Sequence, residues 1–103
     1  SKFEEVRDAL SQIRISFFTF SEVKGYGQQK GEHIVYRGAT YDLGYIARLK
    51  LEILAEDEQV NQIVNTITKS AKTGEIGDGK ITVLSVDQVV RIRTGEQGAD
   101  ALN

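Results

Sequence analysis

The chain has no cysteine and a single histidine, His33, in 103 residues. Without cysteine neither a disulfide nor a thiolate metal site can form, and one histidine does not build a His-based zinc centre or a catalytic triad with redundancy. Basic charge is also short: 13 Lys and Arg stand against 15 Asp and Glu, a net charge of −2, which argues against nucleic acid as the main partner. No apolar run approaches the roughly 18 residues of a membrane span, and no signal peptide is present, so the cytoplasm is the expected compartment. What remains is ordinary globular material. A composition that is 40% hydrophobic and 27% charged folds rather than staying disordered, and 103 residues suit one core and not two. One domain over residues 1–103 is expected.

The pattern along the chain gives an order of elements. Ser1 followed by Glu4 has the capping-box form, Glu4 and Glu5 sit where the helix dipole favours acids, and Phe3, Val6, Leu10 and Ile13 share a stripe, predicting a helix over about 2–14. From Ile15 to Val23 the period changes to two, with Phe18, Phe20 and Glu22 on one face, predicting a strand. A glycine-punctuated polar stretch to about Gly44 reads as a loop much longer than the usual four to six residues. Tyr45 to Leu54 alternates again, with Leu49, Leu51 and Ile53 opposite Arg48, Lys50 and Glu52. A second helix follows, with Asp57 as N-cap, Val60, Ile63, Val64, Ile67 and Ala71 at helical spacing, and Gly74 beyond its end. Two β-rich runs, Ile81 to Val86 and Val89 to Ile92, complete the chain. Helix, strand, long loop, strand, helix, strand is an α+β order: a ferredoxin-like split βαβ domain (βαββαβ) whose first strand, a central one, is missing. Either the chain is truncated, or another segment or subunit fills that place.

The segment "TGEIGDGKI", residues 73 to 81, imitates a P-loop through Gly74, Gly79 and Lys80. It has Ile81 where that motif needs a hydroxyl, and it lies between a helix and a strand in the reverse of the P-loop order, so the P-loop mechanism is excluded. Three glycines within six residues still allow positive φ and a backbone N–H nest for an anion, with Lys80 as a point charge beside it; the plain alternative is a turn chosen for geometry alone. Arg91 and Arg93, two apart in a strand-like run, would share a face and could clamp an oligophosphate, or else form a solvated edge. Together with "GYGQQKG" these elements favour a phosphate-bearing ligand without naming it.

"SEVKGYGQQKG", "YRGATY", "TGEIGDGKI" and "VVRIRTGEQG" stand in the order and spacing of the PII nitrogen-regulatory signal transduction proteins, and on these four motifs the chain resembles that family over essentially its whole length. The resemblance implies a homotrimer with ATP or ADP between neighbouring subunits, 2-oxoglutarate bound through Mg2+ when ATP is present, and a long T-loop that meets partner proteins. It also implies a first strand before Ser1. Residue by residue, it puts Gly77, Asp78, Gly79 and Lys80 of the B-loop (about 73–80) at the phosphates and Arg91 and Arg93 of the C-terminal segment (about 89–103) there from the adjoining subunit. Thr19 matches the position that reads adenine, Glu52 and Leu54 lie beside the nucleoside, and Gly27, Gln28 and Gln29 form the base of a T-loop over about 27–44. Gln29 also matches the magnesium-holding side chain, and Gln29, Lys30, Gly31 and Arg48 the 2-oxoglutarate set. Arg37 matches the arginine inserted into an ammonium transporter pore, which implies recruitment to the membrane, and Tyr41 the nucleotidylated tyrosine. Nitrogen-metabolism enzymes or kinases are the other implied partners.

This sequence departs from the family pattern at several of these positions. Thr40 replaces the acidic residue before Tyr41, Ala39 a phosphorylated serine, and Arg48 the lysine that pairs with a 2-oxoglutarate carboxylate; Ala47 and Thr82 replace a proline and an aromatic. The implied mechanism is sensing with no chemical step, so the chain is not expected to be an enzyme. The rival readings are a slow ATPase, a trimeric nucleotide-binding scaffold without 2-oxoglutarate sensing, and an RNA-binding sheet using Phe18 and Phe20, which the core claims more readily.

Overall fold

Helix formation at the start of the chain follows from its apolar stripe. The computed structural model describes residues 2–26, 34–36, 39–41 and 44–102, with 34–36 and 39–41 described as backbone alone. Two compact units result, residues 1–17 with 54–103, and residues 18–53.

In the first unit, helix α1 spans Phe3–Gln12 and packs against helix α2, Asp57–Ala71. Val6 and Leu10 of α1, Ile15 beyond its end and Ile63 of α2 are the buried apolar residues, Leu10 fully so. Phe3 and Ile13 of the predicted first stripe, and Val60, Val64, Ile67 and Ala71 of the second, are half-buried around them. The expected Ser1–Glu4 capping box is replaced by a different start: the N-cap is Lys2, which makes no side-chain cap bond, because a cationic side chain cannot accept from a backbone N–H. Ser1 lies outside the described residues. Lys2 instead pairs its Nζ with Glu5 at 2.8 Å.

The end of α1 explains why the first strand begins later than predicted. The N–H of Arg14 donates to the Ser11 carbonyl at 3.0 Å and that of Ile15 to the Leu10 carbonyl at 3.0 Å, while Arg14 has φ +67°. These are the paired bonds and left-handed residue of a Schellman stop, and the accompanying apolar contact places Ile15 beside Leu10. Ile15 therefore belongs to the helical core, and strand β1 runs over Thr19–Tyr26 rather than from 15 to 23.

α2 also corrects its expected cap. Glu56, not Asp57, is the N-cap, because Gln59 reaches back to accept the Glu56 N–H on Oε1 at 3.0 Å, and Asp57 falls in the first turn with Glu58.

In the second unit β1 pairs antiparallel with β4, Tyr45–Glu52, and β2, Ile34–Tyr36, pairs with β3, Ala39–Tyr41. The stretch expected as one long loop over about 27–44 thus contains a short ladder, in keeping with the β-branched and aromatic residues of "IVY" and "ATY". The β1–β4 register sets Thr19 opposite Glu52, Val23 opposite Arg48 and Tyr26 opposite Tyr45. Its alternation is less clean than expected: Arg48 is half-buried while Leu49 is 40% exposed. Phe20, expected in the core, is 57% exposed in this chain.

The two β-rich runs near the C-terminus do not form strands. Residues 81–86 have no ladder partner among the described residues, and Ile81, Val83, Leu84 and Val86 are exposed; strand propensity alone does not make a strand where no neighbour takes its backbone groups. Val90 makes an isolated bridge with Gln97, and a 3-10 turn, Gly98–Ala101, follows.

Candidate functional site

The glycine-rich segment leaves α2 directly. Lys72 closes the helix with its N–H on the Thr68 carbonyl at 3.2 Å, and the chain then turns through Gly74, Gly77 and Gly79 at φ +84°, +108° and +94°. A Cβ at Gly77 or Gly79 would meet nothing within 4 Å, so these residues are glycine for their backbone angle and not for lack of room. Helix precedes the segment and no helix follows it before the 3-10 turn, which upholds the exclusion of a P-loop.

Asp78 organises this turn. Its Oδ2 accepts the N–H groups of Thr73 and Gly74, each at 3.0 Å, and its Oδ1 accepts the Thr73 hydroxyl. The Thr73 hydroxyl oxygen accepts the Glu75 N–H at 3.1 Å. The Thr73 hydroxyl bond, followed by the backbone bonds, holds the Asp78 carboxyl below the ordinary aspartate range, with Lys72 adding a smaller Coulombic push in the same direction. The sequence reading placed Asp78 at the phosphates. Its side chain is turned toward Thr73 and Gly74, and its backbone remains in the turn.

Lys80 is exposed and forms no salt bridge among the described residues. With Gly79 and Asp78 it borders a groove of about 320 Å³ whose other wall is Val64, Ile67, Thr68 and Ala71 of α2. That wall is apolar in effect, since the Thr68 hydroxyl donates back to the Val64 carbonyl at 2.7 Å. A second, more open hollow of about 510 Å³ is lined by Glu56, Asp57 and Glu58, whose three carboxylates repel a phosphate.

Arg91 and Arg93 do not share a strand face. Ile92 to Thr94 form a turn in which the Gly95 N–H reaches the Arg91 carbonyl at 2.7 Å and the Arg91 N–H reaches the Glu96 carbonyl at 2.8 Å. Reversal of the chain here destroys the period-two relation on which the expected clamp rested. Arg91 is the half-buried member, with Nη1 2.7 Å from Glu96 Oε1, and the same oxygen accepts the Thr94 hydroxyl at 2.8 Å. Arg93 is exposed.

In the β unit, Thr19 and Glu52 are directly opposed, and Arg48 lies on their face four residues along β4, roughly 13 Å from Glu52 at the rise of an extended strand. Lys50 Nζ stands 3.8 Å from Glu52 Oε1, an exposed pair of small energetic weight. Arg48 crosses toward Gly25, where a Cβ would lie 4.0 Å from its Nε. Leu54 is 56% exposed. Gly27, Gln28, Gln29, Lys30, Gly31 and Arg37 lie outside the described residues, and Tyr41 is described only as a backbone partner of Ile34. Among the described residues no cluster of three His, Cys, Asp or Glu is disposed to hold a metal, and no helix is long and apolar enough to cross a membrane.

Thr73 and Glu96 are the site residues that sequence reasoning missed. Each sits five positions from its partner across a glycine-bearing turn, Thr73 before Asp78 and Glu96 after Arg91, and that spacing was the available signal.

Comparison with known proteins covers nearly the whole chain. The family model described as nitrogen regulatory protein P-II matches residues 1–96. The nitrogen regulatory protein P-II of Rhizobium etli is 52% identical over 101 residues, covering 98% of this chain and 90% of the relative. Nitrogen regulatory protein GlnK of Escherichia coli is 46% identical with the same coverage, 98% and 90%. Among solved structures, Arabidopsis thaliana PII bound to citrate matches with a TM-score of 0.77 and 39% identity over 98% of this chain and 79% of that one. The α+β, ferredoxin-like architecture expected from the order of elements is shown by that likeness.

Proposed function

Because the chain belongs to the nitrogen regulatory protein P-II family, we propose that it is a nitrogen- and energy-status signal transduction protein. In this reading it is a homotrimer that binds ATP or ADP between subunits, senses 2-oxoglutarate with Mg2+, and regulates partner proteins through the loop at about 27–44. The observation that carries the reading is the turn at Gly77–Lys80: positive-φ glycines beside a lysine that has no counter-ion among the described residues. Successive N–H groups with a point charge beside them are the donor set that a phosphate chain requires, so the residues present fit the ligand. Thr19 and Glu52, opposed in the β1–β4 register, are the residues assigned to the nucleoside, and Arg48 to a 2-oxoglutarate carboxylate, which a guanidinium can take in two parallel bonds. Gln29 is assigned to the metal, and Arg37 and Tyr41 to partner contact and modification.

No chemical step is assigned to the chain. Its relatives are named regulatory proteins, and the carboxylate inside that turn, Asp78, already accepts three hydrogen bonds, which leaves it a poor general base. The output is a conformational preference. ATP and ADP share the nucleotide contacts, while ATP with Mg2+ also completes the 2-oxoglutarate site, so the two ligand states favour different loop conformations and a partner reports the difference by linkage.

Titration calorimetry with ATP, ADP, and ATP with Mg2+ and 2-oxoglutarate tests ligand, metal and coupling together. Lys80→Ala removes a charge-assisted contact of about 1.5–3 kcal/mol, so both nucleotides should bind at least roughly tenfold more weakly, with their discrimination flattened. Unchanged affinities in that variant would overturn the reading.

A further inference from the structure

Burial does little to shape the glycine-rich turn. Residues 72–80 are all exposed, and a Cβ at Gly74, Gly77 or Gly79 would meet no atom within 4 Å. An exposed segment with three positive-φ glycines is entropically costly to hold in one conformation. Hydrogen bonds can hold it, and three of those in the turn meet on one side chain: Asp78 takes the Thr73 N–H, the Gly74 N–H and the Thr73 hydroxyl, while the Thr73 oxygen takes the Glu75 N–H.

The carboxylate is thereby directed back toward the helix end. The N–H groups of Gly79 and Lys80, by contrast, have no acceptor within the described residues. A carboxylate placed directly against a phosphate would oppose binding through like charge. Engaged by three donors, the same carboxylate can fix the turn that presents those N–H groups.

We propose that Asp78 is a positioning residue for phosphate binding, which locks the turn through Thr73 and Gly74 so that the Gly79 and Lys80 N–H groups are held ready for the ligand. The proposal rests on the nucleotide reading above and deepens it. Thr73 is the second half of the device: its hydroxyl ties the first residue after the C-cap of α2 to the sixth.

The test is a double-mutant cycle read by calorimetry with ATP and with ADP as probes, on wild type, Asp78→Ala, Thr73→Val, the double variant and Thr73→Ser. Loss of either half should weaken both nucleotides by roughly fivefold, the scale of one hydrogen bond. The double variant should be no weaker than the worse single one, because the two residues act as a unit. Thr73→Ser keeps the hydroxyl and should retain wild-type affinity, which a purely steric role for Thr73 would not give. Equal or tighter binding by Asp78→Ala, or additive losses in the double variant, would overturn the proposal. A wild type that binds neither nucleotide would overturn the nucleotide reading itself and this proposal with it, a result distinct from the others. If thermal melts show Asp78→Ala to be unfolded, the contrast between Thr73→Val and Thr73→Ser decides alone.

Discussion

Replacing Leu10 by Ala tests whether the helical unit is held by the small cluster described above. Leu10 is fully buried, and its buried apolar neighbours are Val6, Ile15 and Ile63. Its carbonyl accepts the N–H groups of Ile13 and Ile15 at 3.2 and 3.0 Å, and alanine preserves both bonds, so the substitution isolates the side chain. Leu→Ala at such sites costs about 2.7–5 kcal/mol, the larger values going with cavities that cannot collapse. With half-buried Phe3 and Ile13 able to move inward, we expect about 3 kcal/mol, a large fraction of the roughly 5–15 kcal/mol that holds a domain together. In a chain of this length that lowers Tm by about 12–24 °C. Far-UV circular dichroism melts and urea titrations measure it, with Phe17→Ala as control. Phe17 is 79% exposed, so its truncation should stay within about 0.5 kcal/mol. A loss below about 1 kcal/mol for Leu10→Ala, or losses equal in the two variants, would refute the assignment of the core.

Two other substitutions follow from local geometry. Arg14→Gly should raise stability by up to about 1 kcal/mol, because the left-handed backbone at φ +67° strains every residue with a Cβ while glycine is the usual occupant of that Schellman position; a lower Tm would show that the arginine side chain contributes more than the strain costs. Glu96→Gln should lower Tm by only a few degrees at low salt and by nothing measurable at high salt, since the Arg91 and Glu96 side chains are 24% and 44% exposed and such a pair is worth about 1 kcal/mol or less. Glutamine keeps an oxygen for the Thr94 hydroxyl, so a loss that does not fall with added salt would refute the assignment of the effect to the ion pair.

Legibility in the sequence tracked the range of the interaction responsible. The apolar stripes of α1 and α2 are local patterns, and both helices appear where they were expected. Strand β4 was legible from its alternation. β1 was misplaced by several residues because "RISFF" reads as the opening of a strand, while a left-handed arginine and two backbone bonds give Ile15 to the helix instead. Nothing in composition signals a non-glycine Schellman stop. Residues 81–86 failed for the opposite reason: their propensity is real, but a strand also needs a neighbour, and neighbours are not local information. At the candidate site the positive-φ glycines and Lys80 were legible from type and spacing. The role of Asp78 was not, since a carboxylate in a phosphate turn looks the same in sequence whether it faces the ligand or the helix end.

The run from Ile81 to Val86, without a ladder partner among the described residues, has a further consequence for handling the protein. "ITVLSV" is apolar, rich in β-branched residues, uncharged and free of proline, the composition that recruits identical segments from other molecules into aggregated sheets. Lys80 and Asp87 bracket it and act as gatekeepers of opposite sign. Neutralising Lys80 to probe a ligand therefore also removes a brake on self-association, whereas Lys80→Arg keeps that brake in place.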